Sequence, residues 1–174
     1  MSSAAPVPDW VFLTYSLPRT PSAPRLALWR TLRRLGAIQL ADGLVALPAT
    51  DSTREQFEWA AEGVVAAGGS AGVWLARPTT RAQIRDLATT MSQARAAEYL
   101  ALIDETELAR ASHPSDGRKA LLRLRRENHK IRARDFFHPR ERDLAAAALR
   151  HLAQHLGAAD ADVPVTASSG RGAR

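Results

Sequence analysis

The chain contains no cysteine, and it has no apolar run that approaches the length of a membrane-spanning helix. The first absence excludes disulfides, thiolate metal ligands and cysteine nucleophiles. The second disfavours a transmembrane segment, which needs about 20 apolar residues. The first ten residues, MSSAAPVPDW, lack the basic region and apolar core of a signal peptide, so a cytoplasmic location is expected.

Acidic residues are also in short supply. The 174 residues carry 24 Lys and Arg against 18 Asp and Glu, which gives a net charge of +6. Apolar residues make up 45% of the chain, enough for a folded core. A basic globular protein of this size favours an acidic partner, and nucleic acid is one such class.

The basic residues are densest in residues 117–137, GRKALLRLRRENHKIRARDFF. At about 100° per residue on a helix, five cations are predicted to form one stripe. They are Lys119, Arg123, Arg126, Lys130 and Arg134. A second stripe on the opposite side is apolar and consists of Leu121, Leu124 and Ile131. Such a helix can pack by its leucine side while it offers cations to phosphates, although a merely solvated charged face is the common alternative.

Residues 9–78 show the order strand, helix, strand, strand, helix, strand. The aromatic run WVFLTYSL predicts a first strand, Gly36 predicts the end of a first helix, and Asp42-Gly43 predicts a hairpin. Ser52 and Glu55 have the spacing of a capping box that opens the second helix. We therefore predict an α+β fold, a ferredoxin-like βαββαβ sandwich, unless one short strand is misassigned and the order is swapped.

The rest of the chain is predicted to be helical. Thr80 and Gln83 match a further capping box, and about three helices are expected over residues 79–157, with the basic helix among them. The small, polar residues 158–174 predict a disordered tail, and residues 1–8 predict a loose leader. Three domains are thus predicted, over residues 9–78, 79–157 and 158–174.

Other candidate sites are weaker. His151 and His155 are one helical turn apart and could chelate zinc, but no third ligand is near in sequence, so no metal and no cofactor is expected. Three tryptophans are most simply core or dimer-interface residues: Trp29, Trp59 and Trp74. A second basic cluster lies on the first helix and consists of Arg30, Arg33 and Arg34.

Several features together resemble the N-terminal domain of the ChrB-type chromate-resistance regulators. They are the first strand followed by LP, Trp29 in the first helix, LGA before the hairpin, LPA after it, the FEW segment at 57–59, and the arginine-rich helix ending in DFF. The resemblance covers roughly residues 10–156. It implies a cytoplasmic regulator that responds to chromate and binds promoter DNA of a chromate-efflux operon. Longer members carry a second domain. Whether this chain binds chromate itself or acts beside a separate chromate-sensing protein is therefore an open question.

The sandwich is similar, more distantly, to the C-terminal module of phenylacetate-type repressors and to the small nuclease of CRISPR adaptation. Those nucleases place an aspartate at the end of the first strand, where this chain has Ser16. A hydroxyl is a poorer ligand than a carboxylate for a hard cation, so nuclease activity is not expected.

We therefore predict a non-catalytic regulator that binds double-stranded promoter DNA. The five cations of the basic helix would contact phosphates, with Arg30, Arg33 and Arg34 as auxiliary contacts. One alternative is a dimeric protein-interaction subunit whose basic helix docks on an acidic partner. A second alternative is a degenerate metal-dependent nuclease, tested through an acid such as Asp9. We also expect that the chain can form a homodimer and that it does not associate with a membrane.

Overall fold

The aromatic and β-branched run WVFLTYS forms one of the two inner strands of an antiparallel sheet, because its side chains suit a buried pleated surface. The computed structural model of the chain describes residues 10–161. Within them it is a mixed α/β structure of four strands and five helices. The elements follow in the order β1 (Trp10–Ser16), α1 (Ala23–Leu35), β2 (Ile38–Ala41), β3 (Leu44–Pro48), α2 (Asp51–Ala66), β4 (Ser70–Ala76), α3 (Arg81–Arg110), α4 (Pro114–Arg132) and α5 (Glu141–Ala161).

The sheet has the strand order β2-β3-β1-β4, and every neighbouring pair is antiparallel. The predicted succession of strand, helix, strand, strand, helix and strand is confirmed. Asp42-Gly43 connects β2 to β3, as the hairpin signal predicts. Gly36 ends α1 in the left-handed conformation with φ of 75°, which also agrees with the sequence.

The chain divides into two compact units. In the described residues, unit 1 comprises 10–95 and 134–138, and unit 2 comprises 96–133 and 139–161. The division therefore falls inside α3 rather than at residue 78, where the composition changes. Helix α5 continues to Ala161, past residue 157. The predicted leader at 1–8, Asp9 and residues 162–174 of the predicted tail lie outside the described residues.

Unit 1 buries apolar side chains on both faces of its sheet. Val11 and Leu13 are fully buried in one cluster with Phe57 of α2. Trp10 is also buried, and its ring stacks on Phe137 with centroids 6.2 Å apart. Both aromatic rings of the DFF segment, Phe136 and Phe137, thus pack against the core of the sheet unit.

The start of α2 differs from the prediction. Its N-cap is Thr50, whose hydroxyl accepts a hydrogen bond from the Thr53 amide at 3.0 Å, while the Thr53 hydroxyl accepts one from the Thr50 amide at 2.9 Å. Ser52 and Glu55 therefore do not form the cap, because the helix already begins at Asp51. The capping box at the start of α3 is confirmed. The Gln83 backbone amide donates to the Thr80 hydroxyl at 3.2 Å, and the Thr80 backbone amide donates to the Gln83 side-chain oxygen at 3.3 Å.

Unit 2 consists of the C-terminal part of α3 with α4 and α5. Its core contains Tyr99 and Leu102 of α3, Leu124 of α4 and Leu152 of α5, all buried. Within the described residues, no helix is long and apolar enough to cross a membrane.

Candidate nucleic-acid interface

The basic helix is α4, and local sequence signals set its start. Pro114 occupies the first turn, and the His113 side chain accepts a hydrogen bond from the Ser115 amide at 3.4 Å. Asp116 lies in the first turn and Lys130 and Arg132 in the last, the arrangement that the helix dipole favours. The helix therefore begins at Pro114, three residues before Gly117, the first residue of the predicted basic segment.

The leucine side of α4 anchors it within unit 2, as predicted. Leu121, Leu124 and Ile131 are all buried among the apolar side chains of α3 and α5. Gly117 allows close contact, because a Cβ there would lie 2.9 Å from Leu156 Cδ2 and 3.2 Å from the Ala109 carbonyl oxygen. One side of α4 is thus held against its own unit, and the other side is left to solvent.

The exposed side carries four of the five predicted cations, and we call these the first row: Lys119, Arg123, Arg126 and Lys130. Three of them lie near a carboxylate of the same unit. Arg123 Nη2 lies 2.6 Å from Glu105 Oε2, while Lys119 and Lys130 lie 3.6 and 3.3 Å from Asp116 and Glu127.

Arg126 is different, since its Nε donates to the Leu122 carbonyl oxygen at 3.3 Å. All four side chains stay exposed, and exposed ion pairs contribute little, about 0–1 kcal/mol each. The row can therefore exchange these partners for phosphates at small cost.

Arg134 does not belong to the row. Helix α4 ends at Arg132, and Arg134 lies two residues further on, half-buried in unit 1. Its Cβ would be 3.0 Å from a Cβ built on Gly36, so it packs beside the end of α1. The predicted stripe of five is wrong at this position, because residues 134–138 do not continue the helix. In this segment the Asp135 carboxylate accepts a hydrogen bond from the His138 backbone amide at 2.9 Å.

A second row of cations on α4 was missed by the sequence reasoning. Arg118, Arg125 and Arg132 recur every seven residues and are exposed. On an ideal helix they lie about 130° around from the first row. Leu122 and His129, both exposed, lie between the two rows. The seven-residue spacing of these arginines is visible in the sequence and indicates this second row.

With both rows, α4 carries seven Lys and Arg against two acidic residues, Asp116 and Glu127. The cations cover about half of the helix circumference, opposite the leucine side. Arginine is suited to phosphate because its planar guanidinium can donate two parallel hydrogen bonds. This arrangement can bind a polyanion along its length of about 28 Å, at 1.5 Å per residue.

The predicted auxiliary arginines lie on α1, in unit 1. Arg30, Arg33 and Arg34 are all exposed. The Arg33 guanidinium lies 4.9 Å from the centre of the Trp29 ring, a cation–π geometry, and Arg34 lines a groove between α1 and α2. The structure thus places these three arginines and the α4 rows in different compact units.

The three tryptophans are not core residues. Trp29, Trp59 and Trp74 are half or more exposed, so the core half of that expectation is wrong. The buried tryptophan is Trp10. The sequence could not separate them, because apolarity alone does not say which side of an amphipathic element meets solvent.

The remaining candidate positions are Ser16 at the end of β1 and the two histidines of α5. Ser16 is exposed at the end of β1. In the neighbouring Tyr15, burial is the largest cause that raises the pKa of the hydroxyl. Asp42 raises the pKa further, and Arg25 has a smaller effect that lowers it. The Tyr15 hydroxyl therefore stays protonated at neutral pH. His151 and His155 are exposed on α5, and no cluster of three metal-ligating side chains occurs in residues 10–161.

Comparison with known proteins identifies the family to which the chain belongs. Residues 25–112 match the family model described as Protein ChrB, N-terminal. Over 138 residues the chain is 28% identical to Protein ChrB of Cupriavidus metallidurans, an alignment that covers 77% of this chain and 42% of that protein. The chain thus spans less than half the length of this curated relative, and the family match ends just before α4. No solved structure matches significantly. The matched segment covers half of the chain and contains most of α1, the strands β2, β3 and β4, and the helices α2 and α3: the protein belongs to the ChrB family.

Proposed function

We propose that this chain is a DNA-binding transcriptional regulator associated with chromate resistance, and that it binds duplex DNA through α4. The observation that carries the proposal is the seven-cation face of a helix whose opposite side is buried. Binding of promoter DNA would place the protein in the cytoplasm. The proposal includes no catalytic step, in keeping with Ser16 where related nucleases have an aspartate.

The two rows favour a duplex over a single strand. Rows about 130° apart on a helix can contact phosphates on both sides of one groove. The major groove is wide enough for an α-helix, about 12 Å. Leu122 and His129, between the rows, would then be directed towards the base edges. Phosphate contacts position a protein, so these contacts fix orientation and supply most of the affinity.

The test is a fluorescence-anisotropy titration of the full chain with duplex DNA from upstream of its own operon, across a range of salt concentrations. A slope of log affinity against log salt near −3.6 is expected if the first row alone neutralises four phosphates, and near −6.3 if both rows neutralise seven. A binding curve that does not respond to salt would refute the proposal.

A triple variant locates the interface. Replacing Arg123, Arg126 and Lys130 by Ala should weaken binding to every DNA sequence. The matched control removes three positive charges elsewhere, at Arg54, Arg81 and Arg85, all exposed in unit 1. Equal loss of affinity in both variants would show that net charge, rather than α4, determines binding.

A second candidate function is an interaction subunit that docks α4 on an acidic protein. The 2.6 Å pair between Arg123 and Glu105 favours it, since a cation of this row already pairs with a protein carboxylate. Measuring particle size with and without duplex DNA, together with a search for a co-purified acidic partner, separates the two functions.

We also propose that unit 1 belongs to the ferredoxin-like class. The strand order β2-β3-β1-β4 and the βαββαβ succession support this assignment. An experimental structure of the chain, compared with known sandwiches of this class, would test it.

A further inference from the structure

The two edges of the sheet differ in how well they are protected against pairing with another strand. The β2 edge is four residues long, contains a register shift between Gln39 and Ala41, and is followed at once by Asp42. Short length, irregularity and charge are the usual means of blocking a sheet edge. The β2 edge therefore has the features of a protected edge.

The β4 edge has none of these protections. It is seven residues long, SAGVWLA, without charge, proline or a recorded register shift. All seven residues pair with β1 on one side, from Ser16↔Ser70 to Trp10↔Ala76. On the other side, no strand pairs with it in the part of the chain that the structure describes. Its outward backbone donors and acceptors form a ready template for a further strand.

Two large side chains on β4 are exposed beside that edge. Trp74 is 59% exposed and Leu75 is 60% exposed, and they lie on opposite faces of the sheet because they are adjacent in a strand. The Trp74 indole is fixed in place, since its Nε1 donates to the Thr14 hydroxyl at 3.1 Å. The indole is therefore directed over β1 and its own strand, and the Leu75 side chain supplies the apolar contact for a partner strand.

We propose that β4 pairs antiparallel with β4 of a second copy of this chain, so that two four-stranded sheets join into one. A two-fold axis at Val73 sets a self-complementary register. Trp74 then lies opposite Gly72 of the second copy, and Leu75 lies opposite Ala71. On the Leu75 face a large side chain thus meets a small one, as close packing of cross-strand pairs requires. On the other face each Trp74 indole covers Gly72 of its own strand, where a Cβ would lie 3.0 Å from Nε1.

The β4 edge is a surface on which two copies can meet without charge repulsion between the paired strands. The chain carries a net charge of +6, so two copies repel each other over most surfaces. Ser70–Ala76 contains no charge. The first flanking cation is Arg77, and in this register the two Arg77 residues are about 26 Å apart, eight residues of strand. Along β4 itself the pairing therefore brings no like charges together. The proposal goes beyond DNA binding and does not depend on it.

Sedimentation equilibrium of the full chain, without DNA, tests the association. A concentration-dependent species of twice 18.9 kDa is expected. Leu75→Lys should raise the dissociation constant at least tenfold, because lysine at a sheet edge opposes pairing. Leu108→Lys is the matched control, since Leu108 is 72% exposed on α3, in unit 2, and should leave the constant unchanged.

A distance measurement tests the register independently of that variant. Because the chain has no cysteine, Ser70→Cys gives one labelling site for a nitroxide. In the proposed register the two labelled Cα positions are about 20 Å apart, six residues of strand. We expect a pulsed-EPR distance between the two nitroxides of about 15–30 Å, because the flexible arms of the labels can add to or subtract from the Cα separation. A monomer at all concentrations, a dimer that Leu75→Lys and Leu108→Lys affect equally, or a longer distance would each overturn the proposal.

Discussion

Arg123 of α4 and Glu105 of α3 form an ion pair, with Nη2 and Oε2 2.6 Å apart. The side chains are 61% and 47% exposed. Water screens such a pair, so its contribution to folding is small, about 0–1 kcal/mol. Its larger consequence concerns DNA binding, because Glu105 neutralises a cation in the middle of the first row.

Glu105→Gln should therefore strengthen DNA binding. The variant removes the carboxylate that competes with phosphate for Arg123, and an exposed pair of this kind corresponds to about a two- to five-fold gain in affinity. The gain should shrink as salt is raised, since both interactions are screened. Anisotropy titrations at two salt concentrations measure it.

Glu107→Gln is the control for that experiment. It makes the same change in net charge on the same helix, but Glu107 pairs with Arg110 of α3, at 2.8 Å, and not with α4. A similar gain in both variants would attribute the effect to overall charge and would remove the special role of Glu105.

The second row of α4 gives a prediction of its own. Replacing Arg125 and Arg132 by Ala should lower affinity and make the salt slope less steep by about 1.8, at 0.9 per lost phosphate contact. Arg54 and Arg85, replaced together, are the matched pair in unit 1. An unchanged slope in the α4 variant would mean that only the first row touches DNA.

Periodicity in the sequence was sufficient for the buried side of α4. Leu121, Leu124 and Ile131 repeat at the helical spacing, and burial follows from that spacing whatever the helix packs against. The same reasoning failed at Arg134, because neither glycine nor proline marks the end of α4. The chain leaves the helix there to place Phe136 and Phe137 against the sheet core, a tertiary contact that no local pattern encodes.

The caps illustrate the same limit on a smaller scale. Spacing alone allowed Ser52 with Glu55, whereas the structure uses Thr50 with Thr53. Both pairs are three residues apart, and only the position of the helix start distinguishes them. That start depends on where β3 ends, at Pro48, whose carbonyl oxygen also accepts a hydrogen bond from the Thr53 hydroxyl at 2.7 Å.

Gly36→Ala should destabilise unit 1. Gly36 has φ of 75°, and a left-handed conformation costs a residue with a Cβ about 1–2 kcal/mol. The new methyl would also lie 2.8 Å from Arg95 Nη1 and 3.0 Å from Arg134 Cβ. A loss of about 2 kcal/mol or more in the free energy of unfolding is expected from these two effects together. Urea unfolding followed by tryptophan fluorescence measures it.

Gly63→Ala is the matched substitution in unit 1. Gly63 lies on the exposed side of α2, and a Cβ there would meet no atom within 4 Å. Alanine should stabilise the helix by about 0.5–1 kcal/mol, because glycine loses more backbone entropy on folding. A comparable loss of stability at both positions would contradict the assigned conformation of Gly36.

The two proposed caps of α2 can be separated by single substitutions. Thr50→Ala removes the hydroxyl that accepts from the Thr53 amide, so a loss of about 1 kcal/mol in the free energy of unfolding is expected. Ser52→Ala removes an exposed hydroxyl that makes no cap bond, and its effect should stay within about 0.5 kcal/mol. Both changes shorten a hydroxyl side chain to alanine within three residues, but only Ser52 lies inside α2, where alanine has the higher helix propensity, so Ser52→Ala should be the less damaging change on that ground too. If Ser52→Ala proved the more damaging, α2 would begin two residues later than Asp51, and the sequence-based cap would be restored.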